Sequence, residues 1–218
     1  MTDPKSRAGE AKRGFHHGDL AGALVATASG LIAARGGPDF SLREVAESVG
    51  VSHTAAYRHF AAKADLLAEI AARGFARLDK AVTAAIVRRG EAIDAVASLR
   101  ATGLAYLDFA ERHPGPYRVM FLAELCDAAR HPALVEAASK ALRTLNGVVA
   151  AGQAAGDLRP DPPAETIAAA IWAAVHGHAL LLLDGQIRDG TSGTPGAPPA
   201  DRRFLIDTMV AGITVRRP

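Results

Sequence analysis

Apolar residues recur along most of this chain at intervals of three and four, the spacing that gathers side chains on one face of an α-helix. From Asp19, the residues Leu20, Leu24, Ala28 and Leu31 line one such face, which the run Gly36, Gly37, Pro38 interrupts. Leu42, Val45, Ala46 and Val49 form a second, shorter face. Ser41 is placed to cap that helix, and Glu44, three residues on, is placed to reach back to the amide of the cap as a capping box. Gly50 then supplies the left-handed position that a tight turn needs. Ser52 caps a third helix, which turns Ala55, Ala56 and Phe60 inward and leaves His53, Thr54, Tyr57, Arg58 and His59 outward. After Lys63 no proline occurs up to Arg89, and Leu67, Ala71, Phe75, Leu78, Val82 and Ile86 share one face, so one long helix is expected there.

Further along, Ile93, Val96, Leu99, Leu104 and Leu107 predict a helix that stops at His113, Pro114, Gly115 and Pro116, since proline bars helical continuation. Two amphipathic helices are expected over residues 117–129 and 132–151. Residues 184–200 collect Gly, Pro, Ser and Thr and read as an exposed, flexible loop before a last helix carrying Phe204, Ile206, Met209 and Val210. Residues 167–183 contain no acid or base apart from His176 and His178. That stretch is at the short end of what crosses a bilayer and is bounded by Glu165 and Asp184 rather than by basic anchors, so no membrane is expected. A helix apolar on all sides in a soluble protein needs cover on all sides, which a domain core on one face and a second subunit on another would supply.

The composition is 49% hydrophobic and 5% aromatic, rich in Ala and Leu, which suits packed helices and an all-α fold. The 218 residues suit one small domain and one larger one. A net charge of +2 is too small to hold nucleic acid by bulk attraction, so DNA binding has to rest on a local arrangement of charge. The single cysteine, Cys126, excludes an internal disulfide, and with no signal peptide the expected compartment is the cytoplasm. Lys5, Arg7, Lys12 and Arg13 lie among Asp, Gly and Ser with no apolar periodicity, so residues 1–15 read as a disordered basic tail.

The segment from Phe40 to Lys63, FSLREVAESVGVSHTAAYRHFAAK, has the layout of a helix-turn-helix, whose second helix presents short polar groups to base edges while its flanks hold phosphates. With Tyr57, His59, Phe60, Lys63 and Leu66 to Leu67 in order, and a helix of suitable length before it, the segment resembles the DNA-binding domain of the tetracycline-repressor (TetR) family. The resemblance implies an N-terminal three-helix DNA-binding domain at residues 16–63 and a larger helical ligand-binding and dimerisation domain at residues 64–218. It implies that Arg43, His53 and Thr54 face bases, while Ser41, Tyr57, His59 and Lys63 hold the backbone, with Ser52 as the second cap beside them. The family often has Gly or Pro where Thr54 stands and a larger aliphatic residue at Ala56, so base preference is not inherited. It also implies a homodimer through the last two long helices, residues 163–183 and 201–215, on a palindromic operator in double-stranded DNA.

Trp172, His176 and Gly177 form a W-x3-H-G pattern that looks like the C-terminal domain of one TetR subgroup. Trp172 and His176, four residues apart, share a helical face, and either they border a ligand cavity or Trp172 packs the core and His176 makes one buried hydrogen bond. Tyr106, Phe109, Tyr117, Phe121, Trp172 and His176 are the candidate pocket residues for a small-molecule ligand that releases a repressor from DNA. A helical enzyme is the remote rival: His176 and His178 are two apart and point to nearly opposite sides, so no helical metal pair, metal site or cofactor is expected. A nearer rival is an adaptor or activator of the same fold without release by an inducer.

Overall fold

The structure is a computed structural model that describes residues 19–215 apart from Cys126 and Ala128; the basic segment 1–15 lies outside the described residues. Helix α1 (Leu20–Arg35) starts on Asp19, whose Oδ1 accepts the Gly22 amide at 2.8 Å, and ends at Gly36 with φ of 74°. Helix α2 (Leu42–Val49) starts on Ser41, whose hydroxyl oxygen accepts the Glu44 amide at 3.1 Å, and ends at Gly50 with φ of 80°. Only half of the expected capping box forms, because Glu44 turns to the Arg35 guanidinium at the end of α1 instead of reaching back to the cap. The charged partner is the stronger attraction for a carboxylate. Helix α3 (His53–His59) starts on Ser52, which accepts the Ala55 amide at 3.2 Å. Leu24, Ala28, Ile32, Leu42, Val45, Ala46, Ala56 and Phe60 are buried at these helices, in a hydrophobic core that continues into the rest of the chain. In α1 the buried face is rotated slightly from the expected one, with Val25 and Ile32 inside and Leu31 only half-buried.

Helix α4 (Lys63–Ala84) begins where the Ala62 amide donates to Asp65 Oδ2 at 2.9 Å. Its buried residues Leu67, Ala71, Phe75 and Leu78 follow the expected face, but the helix stops at Ala84 rather than near Arg89. A two-residue hairpin, β1 (Arg88–Arg89) with β2 (Ala92–Ile93), turns about Gly90 there. Near its far end, Asp79 is buried and bound to α7 (Pro132–Ala154) by the Thr144 hydroxyl at 2.7 Å and Lys140 Nζ at 3.0 Å. Burial alone would raise the Asp79 carboxyl, but these two donors outweigh it and hold the group below its ordinary value. The long helix is therefore pinned at this end.

Helix α5 (Ala95–Arg112) is capped by Asp94 and gives way at His113 to α6 (Pro114–Met120). The expected helix over residues 117–129 is displaced: Pro114 occupies the first helical position, where a missing N–H is harmless, and the helix ends at Phe121 before a short 3-10 turn at Ala123–Leu125. Helix α6 lies between α1 and α4 with almost no clearance. A Cβ added at Gly115 would stand 2.2 Å from the Ser29 carbonyl oxygen of α1, and one added at Gly74 of α4 would stand 2.7 Å from Met120 Sδ. The two glycines permit this approach.

Helix α8 (Ala164–Leu183) is long and apolar enough to cross a membrane, with 39% of its apolar window buried. Ile167, Ala168, Ile171, Val175, Ala179 and Leu182 are its buried residues, and it packs on α5 and α7. Residues 184–200 carry a second hairpin, β3 (Arg188–Asp189) with β4 (Ser192–Gly193), rather than an unstructured connection. Asp189 is held by Arg202 at the start of α9 (Arg202–Ile213), and Arg202 also donates to Asp108 at 3.0 Å and to Glu111 at 2.8 Å on α5. One guanidinium thus ties hairpin, α5 and α9 together.

Candidate functional site

The outward face of α3 is built by exclusion. Ala56 and Phe60 are drawn into the hydrophobic core, and a helical turn of 3.6 residues then leaves His53, Thr54, Tyr57, Arg58 and His59 exposed. Ser41, Arg43 and Ser52 are exposed beside them. The oxygens of Ser41 and Ser52 accept backbone amides as caps, which leaves each hydroxyl hydrogen available to a phosphate oxygen. His53 Nε2 lies 3.0 Å from Glu47 Oε1, so a base contact by His53 competes with that carboxylate. Lys63 sits with Nζ 5.1 Å from the centre of the Phe40 ring, a cation–π contact that steadies its stem beside the first turn of α4. Arg58 has no role assigned by the motif, yet its charge stands on this same exposed face. The signal was its place in the outward run from His53 to His59.

A second site forms far from this face, where α4, α5, α6 and α8 meet. Tyr117 Oη lies 2.7 Å from His176 Nδ1, Tyr106 Oη lies 3.1 Å from the same nitrogen, and the two phenol oxygens are 3.1 Å apart. Tyr117 is wholly buried and Tyr106 nearly so, while His176 is half-buried. Around this triangle stand aromatic rings: Phe121 is 4.2 Å from the His176 ring and 5.4 Å from that of Tyr117, centre to centre, and Trp172 is 5.8 Å from His176. Phe75 of α4 closes the group, 5.3 Å from Phe121 in an edge-on contact. Phe109 does not join; its ring packs on His113 at 4.9 Å. Phe75 is the member that the motif-based reading left out, although its place on the apolar face of α4 marked it as inward.

Burial sets the charge state of this group. It pushes the Tyr106 phenol up to about 12 and raises Tyr117 further, so both hydroxyls stay protonated. The same burial lowers His176, which stays a neutral imidazole. His178, two residues on, is turned away to a different environment, 3.7 Å from Asp189 and near Arg202 and Glu111, where burial again lowers it. Among the described residues, no group of three metal-ligating side chains is placed to hold an ion.

The outer sides of α8 and α9 leave apolar residues open. Trp172 is 37% exposed, Leu181 47% and Phe204 72%, and Ala169, Ala173, Thr208, Ala211 and Gly212 are exposed between them.

Comparison with known families places both ends of this arrangement. The model of bacterial regulatory proteins of the tetR family matches residues 24–70, and that of the tetracyclin repressor-like C-terminal domain matches residues 99–202. Among solved structures, a protein of unknown function from Rhodococcus sp. RHA1 is 31% identical, with a TM-score of 0.73 over 94% of this chain and 100% of that one. A tetR-family regulatory protein from Rhodococcus RHA1 is 22% identical, with a TM-score of 0.69 over 90% and 98%. The ketosteroid transcriptional regulator of Mycobacterium tuberculosis is 20% identical, with a TM-score of 0.61 over 90% and 95%. The search of curated proteins gave no match. With a capped helix-turn-helix inside the first matched segment and a helical C-terminal domain spanning the second, the chain belongs to the TetR family of DNA-binding transcriptional regulators.

Proposed function

We propose that this protein is a homodimeric cytoplasmic repressor whose hold on a palindromic operator is weakened by a small molecule. The observation that carries the reading is the double role of α6. Its Gly115 is seated against Ser29 of α1 in the DNA-binding domain, and its Tyr117 and Phe121 belong to the aromatic core. A ligand that enters the core has to move a helix that already touches the DNA-reading domain. Because α4 is pinned at Asp79 to α7, displacement is directed toward its Lys63 end. Interiors this closely packed pass strain on rather than absorb it. A ligand favouring the rearranged state lowers operator affinity, and the operator opposes ligand binding by the same factor.

The dimer is formed by α8 and α9, whose open apolar strips cover those of a second copy as a four-helix bundle. In that arrangement Arg43, His53 and Thr54 face bases, and Ser41, Ser52, Tyr57, His59 and Lys63 hold the backbone, with Arg58 as a further contact. The half-sites are separated by about 10 base pairs or a multiple of that. The ketosteroid regulator among the structural relatives makes an apolar ligand a reasonable starting class.

A gel-shift titration against DNA upstream of the protein's own gene tests the reading. A salt-sensitive shift that resists competitor DNA is expected. Lys63→Ala should weaken binding to every sequence and lower the salt slope by about 1, whereas Thr54→Ala should change which sequence is preferred. Absence of a competitor-resistant shift, or a protein that stays monomeric in light scattering at micromolar concentration, would refute it.

A further inference from the structure

The polar triangle at the centre of the aromatic core fixes a hydrogen-bonding pattern. Tyr106, Tyr117 and His176 bring three polar atoms within hydrogen-bond distance of one another, with separations of 2.7 to 3.1 Å, and Trp172 also bonds to Tyr106. If His176 carried its proton on Nδ1, three hydrogens would share two phenol acceptors, and one hydroxyl would point at nothing. If Nδ1 is the acceptor, Tyr106 donates to Tyr117, Tyr117 donates to Nδ1, and no group is left over. A buried hydroxyl without a partner is costly, so satisfying both phenols favours the second arrangement, with the proton on Nε2. Among the described residues that Nε2–H meets no protein acceptor, and it is not one of the buried unpaired atoms, so it opens to solvent. It belongs to a half-buried ring whose neighbours are Phe121, the residue that caps the end of α6, and Trp172, which is 37% exposed. The core therefore offers one donor that opens outward between Phe121 and Trp172, beside the strip of α8 that the dimer covers.

Charge is the second constraint. No lysine, arginine, aspartate or glutamate is hydrogen-bonded to Tyr106, Tyr117 or His176 among the described residues, and no such charge acts on any of the three. A charged ligand group would be buried here without a counter-ion, at a cost well above what one hydrogen bond returns. We propose that the core is the binding site for an uncharged, apolar molecule bearing a carbonyl oxygen, which accepts the His176 Nε2–H while the apolar body takes the place of Phe121 against Trp172. This rests on the ligand-responsive reading above and names the chemistry of that ligand.

Trp172 is the only tryptophan in the chain, so its emission follows the rings around it without any need for DNA, and light scattering at the same probe concentrations separates occupancy from a change in the dimer that covers its outer side. Three probes of matched size separate the possibilities: benzylacetone, a neutral ketone; phenylbutyrate, its anionic counterpart; and the corresponding primary amine, a cation. Benzylacetone is expected to change Trp172 emission saturably, and both charged probes to bind at least about tenfold more weakly. His176→Gln, which keeps a side-chain N–H donor, should stay within a few-fold of wild type. His176→Leu should lose about tenfold for benzylacetone with little change in the discrimination against phenylbutyrate. A merely structural histidine would give the same loss in both variants. Equal or tighter binding of a charged probe, equal loss in both His176 variants, or no saturable response to any probe would overturn the proposal. None of those outcomes touches the gel-shift result, so a failure of this site and a failure of the regulator reading are distinguishable.

Discussion

The two working regions of this protein are assembled over very different distances along the chain. In the DNA-reading hairpin each cap joins residues three apart, Ser41 to Glu44 and Ser52 to Ala55, and the turn is closed by one glycine. In the aromatic core the polar contacts span 11, 59 and 70 residues and bring α5, α6 and α8 to one point. The caps need only one helical turn to form, whereas the core exists only when α5, α6 and α8 have packed together. The protein therefore pairs a DNA-reading hairpin whose caps are local with an aromatic core whose geometry depends on three helices distant in the chain.

Truncating Tyr117 to Ala is the hardest blow to that picture. The side chain is fully buried and touches Tyr106, Phe121 and His176, so a loss of about 3–5 kcal/mol is expected in urea unfolding, shared by probes of both domains. A small effect confined to one domain would break the contrast. Ser41→Ala sharpens it from the other side: a lost cap costs about 1 kcal/mol, and Trp172 emission should not change. The smallest effect is in pH. Burial lowers His176 in the folded chain, while an unfolded histidine titrates near about 6.5. Below that value the unfolded state binds more protons, so stability falls as the pH drops through about 6.5 toward the folded value. Histidines 113 and 178 share this direction, and melting curves of His176→Gln should retain their part of the acid limb and lose that of His176.

The same difference in range explains what the sequence made legible. Caps, turn glycines and the outward run on α3 are short-range features, so the hairpin could be read residue by residue, and the W-x3-H-G spacing alone put Trp172 and His176 on one face. The partner of Glu44 could not be read, because Arg35 comes close only after α1 and α2 have packed. Nor could the seat of Phe109, on the same helix as Tyr106 but turned toward His113. The hairpin within residues 184–200 was hidden for a related reason: its composition promises turns, but Asp189 is fixed by Arg202 across the α9 junction. The start of α6 is hidden in the sequence because the prolines that end α5 also start the next helix, a role that depends on where the chain has room to turn.

The central claim is that the aromatic core and the DNA-reading face belong to one coupled system, and the single tryptophan allows this to be measured without any ligand. Trp172 emission should be followed while operator DNA is added, with anisotropy of labelled DNA recorded in the same titration. Coupling predicts a change in emission that saturates together with the anisotropy and is absent with nonspecific DNA, since linkage between two sites acts in both directions. Emission that stays constant while the operator becomes fully bound would contradict it.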